Sequence, residues 1–263
     1  MRAYAAAFSM RLKMELQYRA AALGGILCQI FFGLVLIALY RALYASRPQT
    51  LPIGSVVTYV WINQAFFRML LSWDTDLLDK LRTGAIAYDL CRPVSLYGYY
   101  YARIAAMKLV GSLLRAVPML LFAILLPEGW RVGPPVSAGA LAAAFAGLGL
   151  GLACVTAMEC VTMGITMRTI DHRGVMALLN LLMVTFSGNL LPLTLFPDSW
   201  QRVITLLPYA QLLDAPIRLY TGERPLSAAP GILGLQALWT LALAALGLWI
   251  WRHNLRRITI QGG

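Results

Sequence analysis

Residues 138–164 read AGALAAAFAGLGLGLACVTAMECVTMG, and their reading decides the class of protein. The run contains one charged residue, Glu159. It is longer than the roughly 20 residues a helix needs to cross the hydrocarbon of a bilayer. Its glycines are not a nucleotide cradle, because such a loop follows a strand and opens a helix. Here they sit inside one unbroken apolar run. Gly147 and Gly151, four residues apart, instead read as close helix packing.

Five more runs of this kind follow from the same criterion, giving expected spans at 21–40, 53–73, 104–126, 138–164, 175–196 and 231–251. The first is not a signal peptide, since it lacks a small-residue cleavage site and the chain stays apolar afterwards. Composition agrees: 60% of residues are hydrophobic, 13% are charged and the mean hydropathy is +0.69. A soluble domain carries about 25% charged residues. The net charge of +11 is not a nucleic-acid signal, because the basic residues flank apolar runs, as topology determinants do. With both termini cytoplasmic, fourteen Lys and Arg fall on the inner side, Lys108 counted with the loop charges among them, and six on the outer, which supports that orientation. The segments 45–52, 127–137 and 193–229 are then external. The expected fold is all-α: a single transmembrane domain over 1–263 with six spans.

Three non-spanning segments stand out. Residues 1–20 place Tyr4, Phe8, Leu12 and Leu16 at four-residue spacing, with Arg11 and Lys13 off that line, and read as an amphipathic surface helix. Residues 193–229 are apolar at helical spacing and punctuated by Pro197, Pro208 and Pro216, and read as short external helices that re-enter the outer leaflet or cap the bundle. Residues 74–103 hold DTDLLDKLRTG, which Gly84 ends, and AIAYDLCRPV, which Pro93 stops. Apolar residues on a short cytoplasmic element suit docking into a partner's groove.

Chemistry is sparse. There is no Walker A motif, no HExxH and no serine nucleophile with a paired histidine. No catalytic residue and no metal ligand set is expected. Four cysteines without a CxxC and two distant histidines do not make a metal site. Arg115 and Glu159 are the strong ionisable candidates within spans, at similar depth on neighbouring antiparallel runs. They are expected to pair, with a proton relay as the functional alternative. An ion-coupled secondary transporter would need such residues at mid-membrane and often an internal repeat, and no repeat is evident. An intramembrane enzyme and a purely structural subunit are weaker alternatives.

At LRTGAIAYDLCRPVS the chain resembles type-2 ABC exporter permeases, in particular a bacterial subgroup with a Gly-(x)4-Asp-Leu-x-Arg-Pro core. The later SGNLLPLTLFPDSWQRVITLLPYAQLLDAPIRLYTG resembles the same family's outer helices, so the likeness covers nearly the whole chain. Ala85 and Ala87 depart from the polar residues found there in many members. The resemblance implies a permease in the bacterial cytoplasmic (inner) membrane that works with a second permease, identical or related. Two copies of a separate ATPase would bind the ATP and Mg, leaving this chain without a cofactor. The loop 74–97 would dock that ATPase through Leu77, Leu81, Gly84, Ile86, Asp89, Leu90, Arg92 and Pro93, with Asp171, His172 and Arg173 as a second contact. Asn63, Gln64, Phe67, Asn180, Phe186 and Asn189 would line a substrate path. The substrate would be an exported amphiphile (a drug, peptide, lipid or glycan), a range that includes multidrug efflux.

Overall fold

The computed structural model describes residues 2–17, 19–46, 51–169, 173–189, 192–193 and 196–256, and among them it is all helix and turn, without a strand. In chain order the helices are α1 (Arg2–Gln17), α2 (Arg19–Ser46), α3 (Ile53–Leu71), α4 (Asp76–Thr83), α5 (Ile86–Leu90) and α6 (Leu96–Leu125). They continue as α7 (Ala138–Thr169), α8 (Arg173–Phe186), α9 (Asp198–Ile204), α10 (Asp214–Thr221) and α11 (Ala229–Leu255).

Four of these helices, α2, α6, α7 and α11, are long and apolar enough to cross a membrane. They expose the residues lipid would solvate: Leu27, Phe31 and Leu39 on α2, Val117 and Leu121 on α6, Leu238 and Leu241 on α11. The expected second span, α3, does not qualify by composition because Thr58, Asn63, Gln64 and Arg68 dilute it. It is nevertheless buried along most of its length, so its polar groups face protein. The expected fifth span, 175–196, is corrected. Its helix α8 stops at Phe186 and is 14 residues long, about 20 Å. Gly188 breaks it with φ 77°, and the Gly188 carbonyl accepts hydrogen bonds from Tyr59 Oη at 3.2 Å and Asn63 Nδ2 at 3.3 Å. Buried protein donors thus satisfy backbone that no helix pairs.

The expected amphipathic surface helix, α1, runs beside α6 in the same direction. The Ser95 N–H donates to Tyr4 Oη at 3.1 Å, and Arg11 Nη2 lies 3.2 Å from Met107 Sδ. Ala7 is buried between these contacts. The polar Arg11 and Glu15 therefore face the bundle, and Met10 and Met14 face out.

The loops sort to two ends. At one end, Arg41 donates to Gly129 O at 3.0 Å, Trp61 Nε1 to Trp130 O at 2.7 Å and Val136 N–H to Tyr220 O at 3.3 Å. At the other, α1, α4 and α5 pack with the ends of α6, α7 and α11 around Leu77, Ile86, Tyr100, Ile104 and Trp251. The expected external helices α9 and α10 belong to the first end, and the chain between them dips inward. Leu212 and Leu213 are fully buried, and Gly151 of α7 sits directly against the Leu212 carbonyl. Gly151 lies about 20 Å along α7 from Ala138, so the dip reaches the middle of the bundle. The Gln236 side chain covers its polar backbone, donating to Gln211 O at 2.6 Å and Gly147 O at 3.1 Å.

Candidate functional site

Where α3 ends, Ser72, Trp73 and Asp74 turn the chain into α4, and a chain of ions begins there. The Asp74 N–H donates to Glu159 Oε1 on α7 at 2.6 Å. Lys108 Nζ on α6 lies 2.9 Å from Glu159 Oε2 and donates to the carbonyls of Ser72 at 2.7 Å and Met69 at 3.2 Å. Lys108 and Glu159 are each 1% exposed. A buried ammonium and a buried carboxylate are tolerable only with partners of this kind. The Asp74 carboxylate takes Arg103 Nε at 2.7 Å, and Arg103 Nη1 reaches Asp76 at 2.9 Å. Asp76 and Asp89 share Lys80 at 2.9 and 2.7 Å, and the Tyr100 hydroxyl lies 3.1 and 3.2 Å from the same two carboxylates. Through Arg11 and Glu15 the series extends to α1 and to Arg68 of α3.

The series ties the short pair α4–α5 to four longer helices. Burial pushes the Asp76 carboxyl up, but the Lys80 hydrogen bond and the Arg103 and Lys80 charges reverse this and hold it below the usual carboxylate range. Burial pushes Lys80 down, and its bonds to Asp89 and Asp76 more than restore it, so it stays above its ordinary value. Both groups are charged at neutral pH. Gly84 joins the two helices at φ 74°, the left-handed conformation that a C-terminal glycine adopts without strain.

The structure divides the expected docking residues. Leu77 and Ile86 are each 1% exposed and belong to the chain's own core, and Leu81 packs against it. Asp89 is 3% exposed and bound to Lys80, so it holds α5 to α4 and presents nothing outward. The exposed face consists of Leu90, Cys91, Arg92, Pro93 and Tyr88, the last 78% exposed. The sequence reading missed Tyr88, although it lies two residues from both Ile86 and Leu90 and so off their face of a helix. The Arg92 guanidinium is held 5.6 Å over the Tyr99 ring. Arg173 opens α8 and is exposed, whereas Asp171 and His172 lie outside the described residues.

The Arg115–Glu159 pair does not form. Glu159 pairs with Lys108, which the sequence reading had grouped with the loop charges. Lys108 and Arg115 lie on nearly one side of α6, about 10 Å apart along its axis, and Glu159 stands at the level of Lys108. Arg115 instead leans on Gly25 of α2, near Arg68 and Glu15, and makes no ion pair among the described residues.

Of the expected path residues, Asn63 and Asn189 come together, with Asn189 Nδ2 2.5 Å from Asn63 Oδ1. Gln64 is buried beside them. Trp73 Nε1 donates to Asn180 Oδ1 at 2.9 Å, a separate contact nearer the ion series. Phe67 and Phe186 are half-buried.

A family model described as ABC-2 family transporter protein matches residues 25–262, nearly the whole chain. No curated protein and no solved structure matches.

Proposed function

The chain belongs to the ABC-2 family of transporter proteins, and from that premise we propose that it is the permease subunit of an ATP-driven exporter. In this reading a separate ATPase, present in two copies, docks on α4 and α5, and a second permease, identical or related, completes the pore. The chain crosses a bacterial cytoplasmic membrane six times, with α3 completing the four apolar helices and α8, too short to cross alone, continued by the chain beyond Gly188. The ion series lies at the cytoplasmic end, where the Lys/Arg excess falls. The substrate is an amphiphile moved outward along a path lined by Asn63, Gln64, Phe67, Asn180, Phe186 and Asn189.

One observation carries the reading. The α4–α5 pair is anchored on its inner side by Leu77, Ile86 and Asp89 while Tyr88, Leu90 and Pro93 are left exposed. A short element with an apolar outer face and a rigid ionic inner attachment passes a push from a docked partner to α3, α6 and α7. A solvated loop has no use for either feature. Truncating an interface anchor costs about 2 kcal/mol or more, roughly thirtyfold in affinity. Tyr88→Asp and Leu90→Asp are therefore expected to lose the ATPase on co-purification while the permease keeps its melting temperature. Retention of the ATPase at wild-type stoichiometry, with normal transport, would sink the assignment.

A further inference from the structure

The ion series ends, away from α4 and α5, at a cleft. The ends of α1 and α3, the start of α2 and the middle of α6 enclose this cleft, which is lined by Arg11, Glu15, Ala22, Arg68, Gly111 and Arg115. Three guanidinium groups face one carboxylate in the cleft, and Arg11 also lies 4.0 Å from the Asp74 carboxylate. Glu15 is already committed to Arg11 at 3.2 Å and Arg68 at 3.4 Å. Arg115 has no ion-pair partner among the described residues, and Arg11 Nε is buried without a hydrogen-bond partner. Two glycines make the room. A Cβ on Gly25 would stand 2.6 Å from the Arg115 guanidinium carbon, and one on Gly111 would meet Arg68. Crowded like charges in a partly desolvated cleft repel one another unless an anion joins them.

We propose that this cleft binds the phosphate of an anionic phospholipid, held by Arg68, Arg115 and Arg11. The guanidinium fork matches phosphate oxygens in pairs, which a lysine would not do. The position selects a lipid over a soluble anion. Ala22, at the cleft, is the first residue of the α2 candidate span, and Leu23 and Leu27 just beyond it are exposed. On α6, Leu113 and Val117 flank Arg115 and are exposed too. A headgroup in the cleft thus has apolar surface ahead of it for its acyl chains. Basic clefts between spanning helices recognise anionic headgroups by this combination. The inference rests on the membrane reading of the chain and is independent of where an ATPase docks.

Native mass spectrometry of the full-length chain, released from neutral detergent, tests it with phosphatidylglycerol, phosphatidylcholine and inorganic phosphate as probes. Phosphatidylglycerol is expected to be retained over phosphatidylcholine and to resist excess inorganic phosphate. Arg115→Gln lowers that retention by about fivefold, the factor that roughly 1 kcal/mol per basic side chain gives. Arg115→Lys retains part of it. Equal retention of the two lipids by the wild-type chain overturns the proposal whether or not the variants fold. An unchanged Arg115→Gln does so as well, and ready displacement by inorganic phosphate would make the cleft a site for soluble anions instead.

Discussion

Lys108 and Glu159 show how a buried charge pair can hold an element without being a source of net stability. The pair alone repays little of its desolvation, and the two backbone carbonyls on Lys108 and the Asp74 N–H on Glu159 supply the rest. Removing one partner leaves the other charged in a site that water does not reach, at about 3–5 kcal/mol. Lys108→Met is therefore expected to lower the melting temperature of the purified chain sharply. Glu159→Gln should cost less, because Lys108 keeps the Ser72 and Met69 carbonyls. The double variant should be more stable than the sum of the two losses predicts. Strict additivity would mean that the two charges do not interact. Sequence reasoning expected Glu159 to be paired rather than to serve a proton relay, because an unpaired acid within an apolar run is costly. It chose the wrong base because spans read from hydropathy have soft ends. Lys108 lies four residues inside such an end and was counted as a loop charge.

At the scale of elements, the glycines of α7 separate what sequence makes legible from what it does not. Gly147, Gly149 and Gly151 occupy alternate positions, and spacing alone marks the first and third as a close-packing pair. That is where close contacts occur: a Cβ on Gly147 would lie 3.0 Å from Pro216 Cγ, and one on Gly151 would strike the Leu212 carbonyl, whereas Gly149 has open space. The partner was not legible. The expectation was helix packing, and the structure presents the short dip after α9 together with the start of α10, whose Pro208, Pro216 and polar residues obscure their burial. The end of α8 was hidden for the same reason, since Gly188 lies in an apolar stretch and its break depends on Tyr59 and Asn63, over a hundred residues away in sequence. The α4–α5 segment was located by its Gly and Pro limits, but in a five-residue helix the pattern could not tell core from surface, so Ile86 and Tyr88 exchanged roles. The glycines give opposite expectations. Gly149→Ala should stabilise the chain by up to about 1 kcal/mol through helix propensity. Gly151→Ala should destabilise it by about 1–3 kcal/mol through overpacking. Thermal unfolding of both variants in one detergent checks this, and equal shifts would mean that the dip does not rest on Gly151.

For the whole molecule, the distances between the two ends agree with a single bilayer. From the Lys108–Glu159 level, α7 runs about 32 Å to Ala138 and α6 about 26 Å to Leu125, and α3 covers about 28 Å between Ile53 and Ser72. These lengths bracket the roughly 30 Å of a hydrocarbon core. The ion series therefore lies at one boundary, and α4, α5 and the first turns of α1 project beyond it. The proposal that they enter the cytoplasm rests on the basic residues, since Lys and Arg accumulate on the cytoplasmic side. Thr83, at the end of α4, is exposed at the charged end, and Glu128 is exposed at the other. The natural cysteines make a clean background: Cys154 and Cys160 are buried, Cys28 faces outward from α2 within its candidate span, and Cys91 can be replaced by serine. In that background, Glu128→Cys in intact cells is expected to react with a charged, impermeant maleimide, and Thr83→Cys only after the membrane is opened. Labelling of Thr83→Cys alone in intact cells would invert the molecule and place α4 and α5 outside, beyond the reach of any cytoplasmic ATPase. Labelling of both would place the two ends on one side and contradict the helix lengths themselves.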